Sequence, residues 1–159
     1  MIKQNIIKTF LLTLLLLFSN CGYKVLDLTK VNNFTIKEIV TTGDRRINFK
    51  IKNNLLTKSN QKTENILLVE LDTKKIKSIK EKNIKNEIKK YEIILNVNFK
   101  FNNLGAQKKH TIYVTINGDY LTGSNYSTTL INEKKLIDNL VERVTEKILD
   151  GIDTKLNDI

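Results

Sequence analysis

Between Tyr91 and Phe101 apolar and polar residues alternate: Ile93, Leu95, Val97, Phe99 and Phe101 fall on one side, Asn96, Asn98 and Lys100 on the other. A period of two is that of a strand with one buried and one wet face. Asn102-Asn103-Leu104-Gly105-Ala106 supplies a turn, and Thr111–Ile116 returns as the partner strand, so the pair predicts a hairpin. Phe34–Val40 is rich in strand formers and closes on Thr41-Thr42-Gly43-Asp44, which predicts another strand with a stop. Asn65–Leu71 predicts one more, extended toward Ile79, with the lysine-rich 81–86 as a turn. In that region Ile76, Ile79, Ile84 and Ile88 also permit a helical reading, so the boundary stays open.

Two segments carry the helical period instead. After Asp44, a good N-cap, Ile47, Ile51 and Leu55 recur every four residues with Leu56 beside the last. The alternation of Ile47, Phe49 and Ile51 keeps a strand as the rival. From about Thr129 into the 150s, Ile137, Leu140, Val141, Val144, Ile148, Ile152 and Leu156 form one stripe. Glu133, Asp138, Glu142, Arg143, Glu146 and Lys147 form the opposite face. Such a stripe is buried against something, and the apolar face of the sheet is the economical partner. The expectation is an α+β fold: a four-stranded, mostly antiparallel sheet with two helices packed on one face, in the order β-α-β-β-β-α.

The N-terminus changes the picture. Lys3 and Lys8 stand without an acid ahead of the apolar run Phe10–Phe18, and Ser19-Asn20-Cys21 follows. This is the order of a secretory signal, and the run is well short of the about 20 residues that cross a bilayer. The only cysteine closes it, which predicts a lipoprotein signal peptide over 1–20 and a lipid-bearing Cys21. Phe18-Ser19-Asn20-Cys21 is a degenerate lipobox, so an ordinary signal with an inert cysteine is the rival. Taking 20 residues from 159 leaves 139, enough for one domain with a real core over 21–159. No intramolecular disulfide is available to it.

The net charge is +10, or +8 once Lys3 and Lys8 are removed with the signal. In an exported chain this favours anionic lipid headgroups over nucleic acid. Only Arg45, Arg46 and Arg143 could give a bidentate phosphate grip, and most lysines read as surface solvation. Catalytic chemistry is sparse. His110 is the only histidine, in a lysine-rich approach to a strand, and a turn or surface role is expected of it. Asp44 reads as a cap and Asp119 as a turn residue, without an acid/base partner. No phosphate loop, Gly-x-Ser-x-Gly or metal-spaced His/Cys cluster occurs, so neither an enzyme, a cofactor nor a metal is expected. A protein that binds or scaffolds is the remaining class.

Several stretches resemble the LptE family of lipopolysaccharide-assembly lipoproteins. "CGYKV" is similar to the family's start, and "GDRRINFKIKNNLL" stands where its first helix lies. "NEIKKYEIILNVNFKFNNLGAQ" resembles its long strand and hairpin, and "GDYLTGSNYSTTLINEKKLIDNLVERVTEKIL" its strand exit and long amphipathic helix. The resemblance implies an outer-membrane, periplasm-facing lipoprotein anchored at Cys21 and seated in the LptD barrel. It would support barrel assembly and lipopolysaccharide transport. Lys82, Lys85, Lys108 and Lys109, all near turns, are the candidate contacts to lipid A phosphates. Another periplasmic lipid-binding or barrel-assembly lipoprotein is the alternative.

Overall fold

The structure, a computed structural model, describes residues 33–60 and 63–157. The signal peptide expected over 1–20, and Cys21, lie outside the described residues. The elements run β1 (Thr35–Gly43), α1 (Arg45–Lys58), β2 (Ile66–Lys82), β3 (Ile88–Asn103), β4 (Lys108–Leu121) and α2 (Tyr126–Asn157). One sheet has the order β1-β2-β3-β4; β1 pairs with β2 in parallel, and the other two pairings are antiparallel. This is the architecture and element order expected from the periodicity.

The strand rival over 47–51 fails on capping. Asp44 Oδ1 accepts from the N–H groups of Arg46 at 3.0 Å and Ile47 at 3.1 Å, which satisfies donors that a helix start would otherwise leave bare. Behind the cap, Asn48 is buried and donates to the Thr42 carbonyl at 2.7 Å while accepting from the Thr73 hydroxyl at 2.9 Å. Gly43 makes the change of direction possible: its φ is 87°, and a Cβ there would run into the Thr73 carbonyl. α2 begins three residues earlier than its stripe predicts, because Asn125 Oδ1 accepts the Thr128 N–H at 2.8 Å and so caps a start at Tyr126.

Both helices cover one face of the sheet. Ile47, Ile51 and Leu55 of α1, and Leu140, Val144, Ile148 and Ile152 of α2, share one core with Leu67, Leu71, Ile93, Leu95, Phe99 and Phe101. Each such side chain contributes roughly 1.5–3 kcal/mol on burial. Gly151 lets α2 lie close to β4, since a Cβ there would come within 2.7 Å of Ile112 Cδ1. The two helices are tied to each other by the Lys50–Asp138 ion pair.

Two sequence expectations need correction here. β4 continues to Leu121, so Asp119 is a strand residue opposite Glu92, and it pairs with Lys80 at 3.1 Å. Glu133 does not stand on the wet face of α2; its side chain is only 16% exposed and turns back toward the sheet.

Candidate functional site

The face of the sheet without helices is the first candidate surface. Pairing sets its side chains in rows: Glu38, Leu68, Asn102 and Lys109 across one, and Val40, Glu70, Lys100 and Thr111 across the next. The twist of the strands makes a trough there of about 610 Å³, and a second of about 280 Å³ adjoins it beside Thr42, Asp72 and Asn98. Acids stand along the β1–β2 wall and lysines along the β3–β4 wall. Glu70 and Lys100 face each other across the pair, yet no ion pair joins them among the described residues. The oxygens Asn98 Oδ1 and Asn102 Oδ1 are buried in the same region without a hydrogen-bond partner among the described residues. The surface is therefore amphipathic and of mixed charge, with Val40 and Leu68 set among its acids, lysines and amides.

The four candidate lysines do not meet. Lys82 and Lys85 lie at the β2–β3 turn, whereas Lys108 and Lys109 open β4 at the other end of the sheet. β3, with 16 residues, separates the two ends by about 50 Å. Lys82 and Lys85 have company at their end: Lys89 follows the turn and Ile84 stands fully exposed at its tip. Lys109 instead borders the trough.

Helix-side chemistry near the turn end was hidden in the sequence. Lys77 Nζ donates to Glu133 Oε2 at 2.6 Å, and the Tyr120 hydroxyl donates to the same oxygen at 2.8 Å. The ammonium lies 4.5 Å from the centre of the Tyr91 ring, which stacks on Tyr120 at 5.5 Å. Burial works against the Lys77 charge, but the bonds to Glu133 and Tyr120 and the Glu133 charge outweigh it and lift the group from 10.5 to about 12. Burial would raise Glu133, and the bonds from Lys77 and Tyr120 prevail and hold it below its ordinary 4.5. Burial, ahead of the opposing bond from Lys77, pushes Tyr120 up. The cluster fastens the first turns of α2 to β2 and β4. No periodicity could have shown it, because a lysine, a tyrosine and a glutamate on three elements each read singly as surface.

Because the folded carboxyl titrates low, the contribution of Glu133 is present above 4.5 and is lost as pH falls through its folded value. That of Lys77 is complete below 10.5 and is lost as pH rises through about 12. Glu133→Gln is expected to cost about 1–2 kcal/mol at neutral pH and to flatten the acid limb of the stability profile. Urea unfolding from about pH 3 to about pH 7 reads both effects; an unchanged acid limb would refute the assignment.

His110 is an inward residue of β4, stacked on Phe101 with ring centres 5.0 Å apart. Burial, then the charges of Lys108 and Lys155, lowers its pKa from 6.5. Its place is on a strand, not in a turn. Among the described residues no group of His, Cys, Asp or Glu could hold a metal, and no helix is long and apolar enough to cross a membrane.

No family model matches the chain, and no curated protein matches it. Solved structures do. Rare lipoprotein B from Shewanella oneidensis superposes with a TM-score of 0.56 at 14% identity, over 76% of this chain and 97% of that one. A putative lipoprotein from Caulobacter crescentus gives 0.52 at 11% identity, over 75% and 90%. The chain has the fold of rare lipoprotein B. That is the LptE-like fold the sequence resemblance implies, and the rare lipoprotein B fold accounts for nearly the whole described domain, with the mixed-charge trough and basic turn as surface features upon it.

Proposed function

We propose that the chain is a lipoprotein, anchored through Cys21 and facing the periplasm, that seats in an LptD-type outer-membrane barrel and assists lipopolysaccharide transport. The observation that carries this reading is the structural match to the solved chain of rare lipoprotein B, 97% of which it covers. The helix-free face supports it: a surface that mixes Glu38, Glu70, Lys100 and Lys109 with the apolar Val40 and Leu68 suits an interface with another protein, where polar and apolar groups are both buried. The turn end supports the lipopolysaccharide part, since Lys82 and Lys85 stand in the open beside Ile84 and suit phosphates next to acyl chains.

Purification from membranes in mild detergent is expected to bring down a barrel of the LptD type in equal amount, and its absence would overturn the reading. The mature N-terminal peptide is expected to carry a triacylated Cys21; an unmodified thiol would withdraw the anchor. For the lipid contact, reversal of Lys82 and Lys85 to glutamate is expected to weaken lipopolysaccharide binding by about tenfold. Reversing Lys108 and Lys109 acts at a separate place, and unchanged affinity in both double variants would remove these lysines from the reading.

A further inference from the structure

β1 ends before β2 does. Gly43 pairs with Thr73, the Asp44 N–H then bonds to the Thr73 carbonyl at 2.9 Å, and the chain turns away into α1. Among the described residues, β2 from Lys74 to Lys82 keeps a neighbour on one side alone, which is β3. Backbone groups along a strand alternate in the side to which they point. The Ile66 carbonyl accepts from Leu104 N–H, on the β3 side, and the Thr73 carbonyl accepts from Asp44, on the β1 side. Lys75, Lys77 and Ile79 share the parity of Thr73. Their N–H and C=O groups therefore point into the line that β1 has left, and no other backbone group among the described residues bonds to them there. The open edge from Lys74 to Ile79, before the irregularity that follows Ile79, is about 20 Å long.

The side chains beside this edge select what can join it. Lys74, Lys75, Lys77, Lys80 and Lys82 fall within nine residues, with Glu81 as the single acid. The protein's own acids engage Lys75 (Asp44, 3.9 Å), Lys77 (Glu133, 2.6 Å) and Lys80 (Asp119, 3.1 Å), and no ion pair engages Lys74 or Lys82 among the described residues. A second copy would set lysine against lysine, which disfavours edge-to-edge pairing of this chain with itself. A strand carrying acids meets the opposite situation.

We propose that the open edge of β2 takes an acid-bearing extended segment of a partner protein, added as a strand in line with β1. Three outward donors and three outward acceptors supply the main-chain bonds, and the lysines supply the choice of partner. The inference does not depend on the barrel reading, because it names the chemistry of the segment and not its source.

The full-length chain can be tested with a capped ten-residue peptide alternating valine and glutamate, and with its valine–lysine counterpart, by residue-resolved amide exchange. At saturating acidic peptide, exchange at Lys75, Lys77 and Ile79 is expected to slow by about tenfold or more, with Ile76 and Ser78, already bonded to β3, unchanged. The lysine peptide is expected to have no effect. Ile79→Pro removes an N–H that points away from β3, a position where an edge tolerates proline, and is expected to abolish the protection. Should that variant fail to fold, Lys74→Glu with Lys82→Glu decides the matter, since it is expected to weaken the preference for the acidic peptide. Absence of protection, protection elsewhere in the chain, equal response to both peptides, or a preference untouched by the charge reversal would each overturn the proposal.

Discussion

Phe99→Ala is expected to lower the stability of the domain by about 3–5 kcal/mol, the largest effect of a single truncation in this core. Phe99 has no exposed surface, lies in the second half of β3 and stands 6.0 Å from the Phe101 ring. Helices cover it on one side and β2 and β4 flank it, so the neighbours cannot collapse into the space without dragging paired backbone with them. Domains of this size have about 5–15 kcal/mol in total, so the variant should unfold at a markedly lower urea concentration with an unchanged slope. A loss below about 1 kcal/mol would mean that the core is looser than the burial of this ring indicates.

Gly43→Ala is expected to be nearly as damaging, at about 3 kcal/mol or more, although it adds one carbon to an exposed position. Two costs combine. The left-handed φ of 87° disfavours any L side chain, by roughly 1–2 kcal/mol, and the new Cβ would strike the Thr73 carbonyl that holds Asp44. Gly105→Ala is the control, because nothing stands within 3.5 Å of a Cβ there and its cost should stay under about 1 kcal/mol. Equal losses in the two variants would refute the account of the β1–α1 turn.

The legibility of the fold followed the distribution of water. β3 is wet on one face and dry on the other, so its alternation was plain, and the α2 stripe was plain for the same reason. The second half of β2 was not, because an open edge leaves both faces wet and no period is imposed. Ile76 points to the trough side and Ile79 to the helix side, Ile84 sits in the turn, and Ile88 begins β3; their helix-like spacing has no common surface behind it. The end of β4 was read as a turn because Gly118 and Asp119 are poor strand formers, yet cross-strand ion pairs to Lys80 and Lys90 hold Asp119 in the ladder. The candidate lysines were visible as charges, but their positions required the topology. β3 runs extended between the two turns, so Lys85 and Lys108, with that whole strand between them, stand at its opposite ends and not together.

That separation has an electrical consequence. Ionic screening at physiological salt acts over about 8 Å, several times less than the about 50 Å spanned by β3. The domain is thus a bar with two poles, each blind to the charge state of the other. Reversing lysines at both poles should change the binding of any polyanion by the product of the two separate effects, and a ligand that registers both at once must itself reach from one end of the sheet to the other.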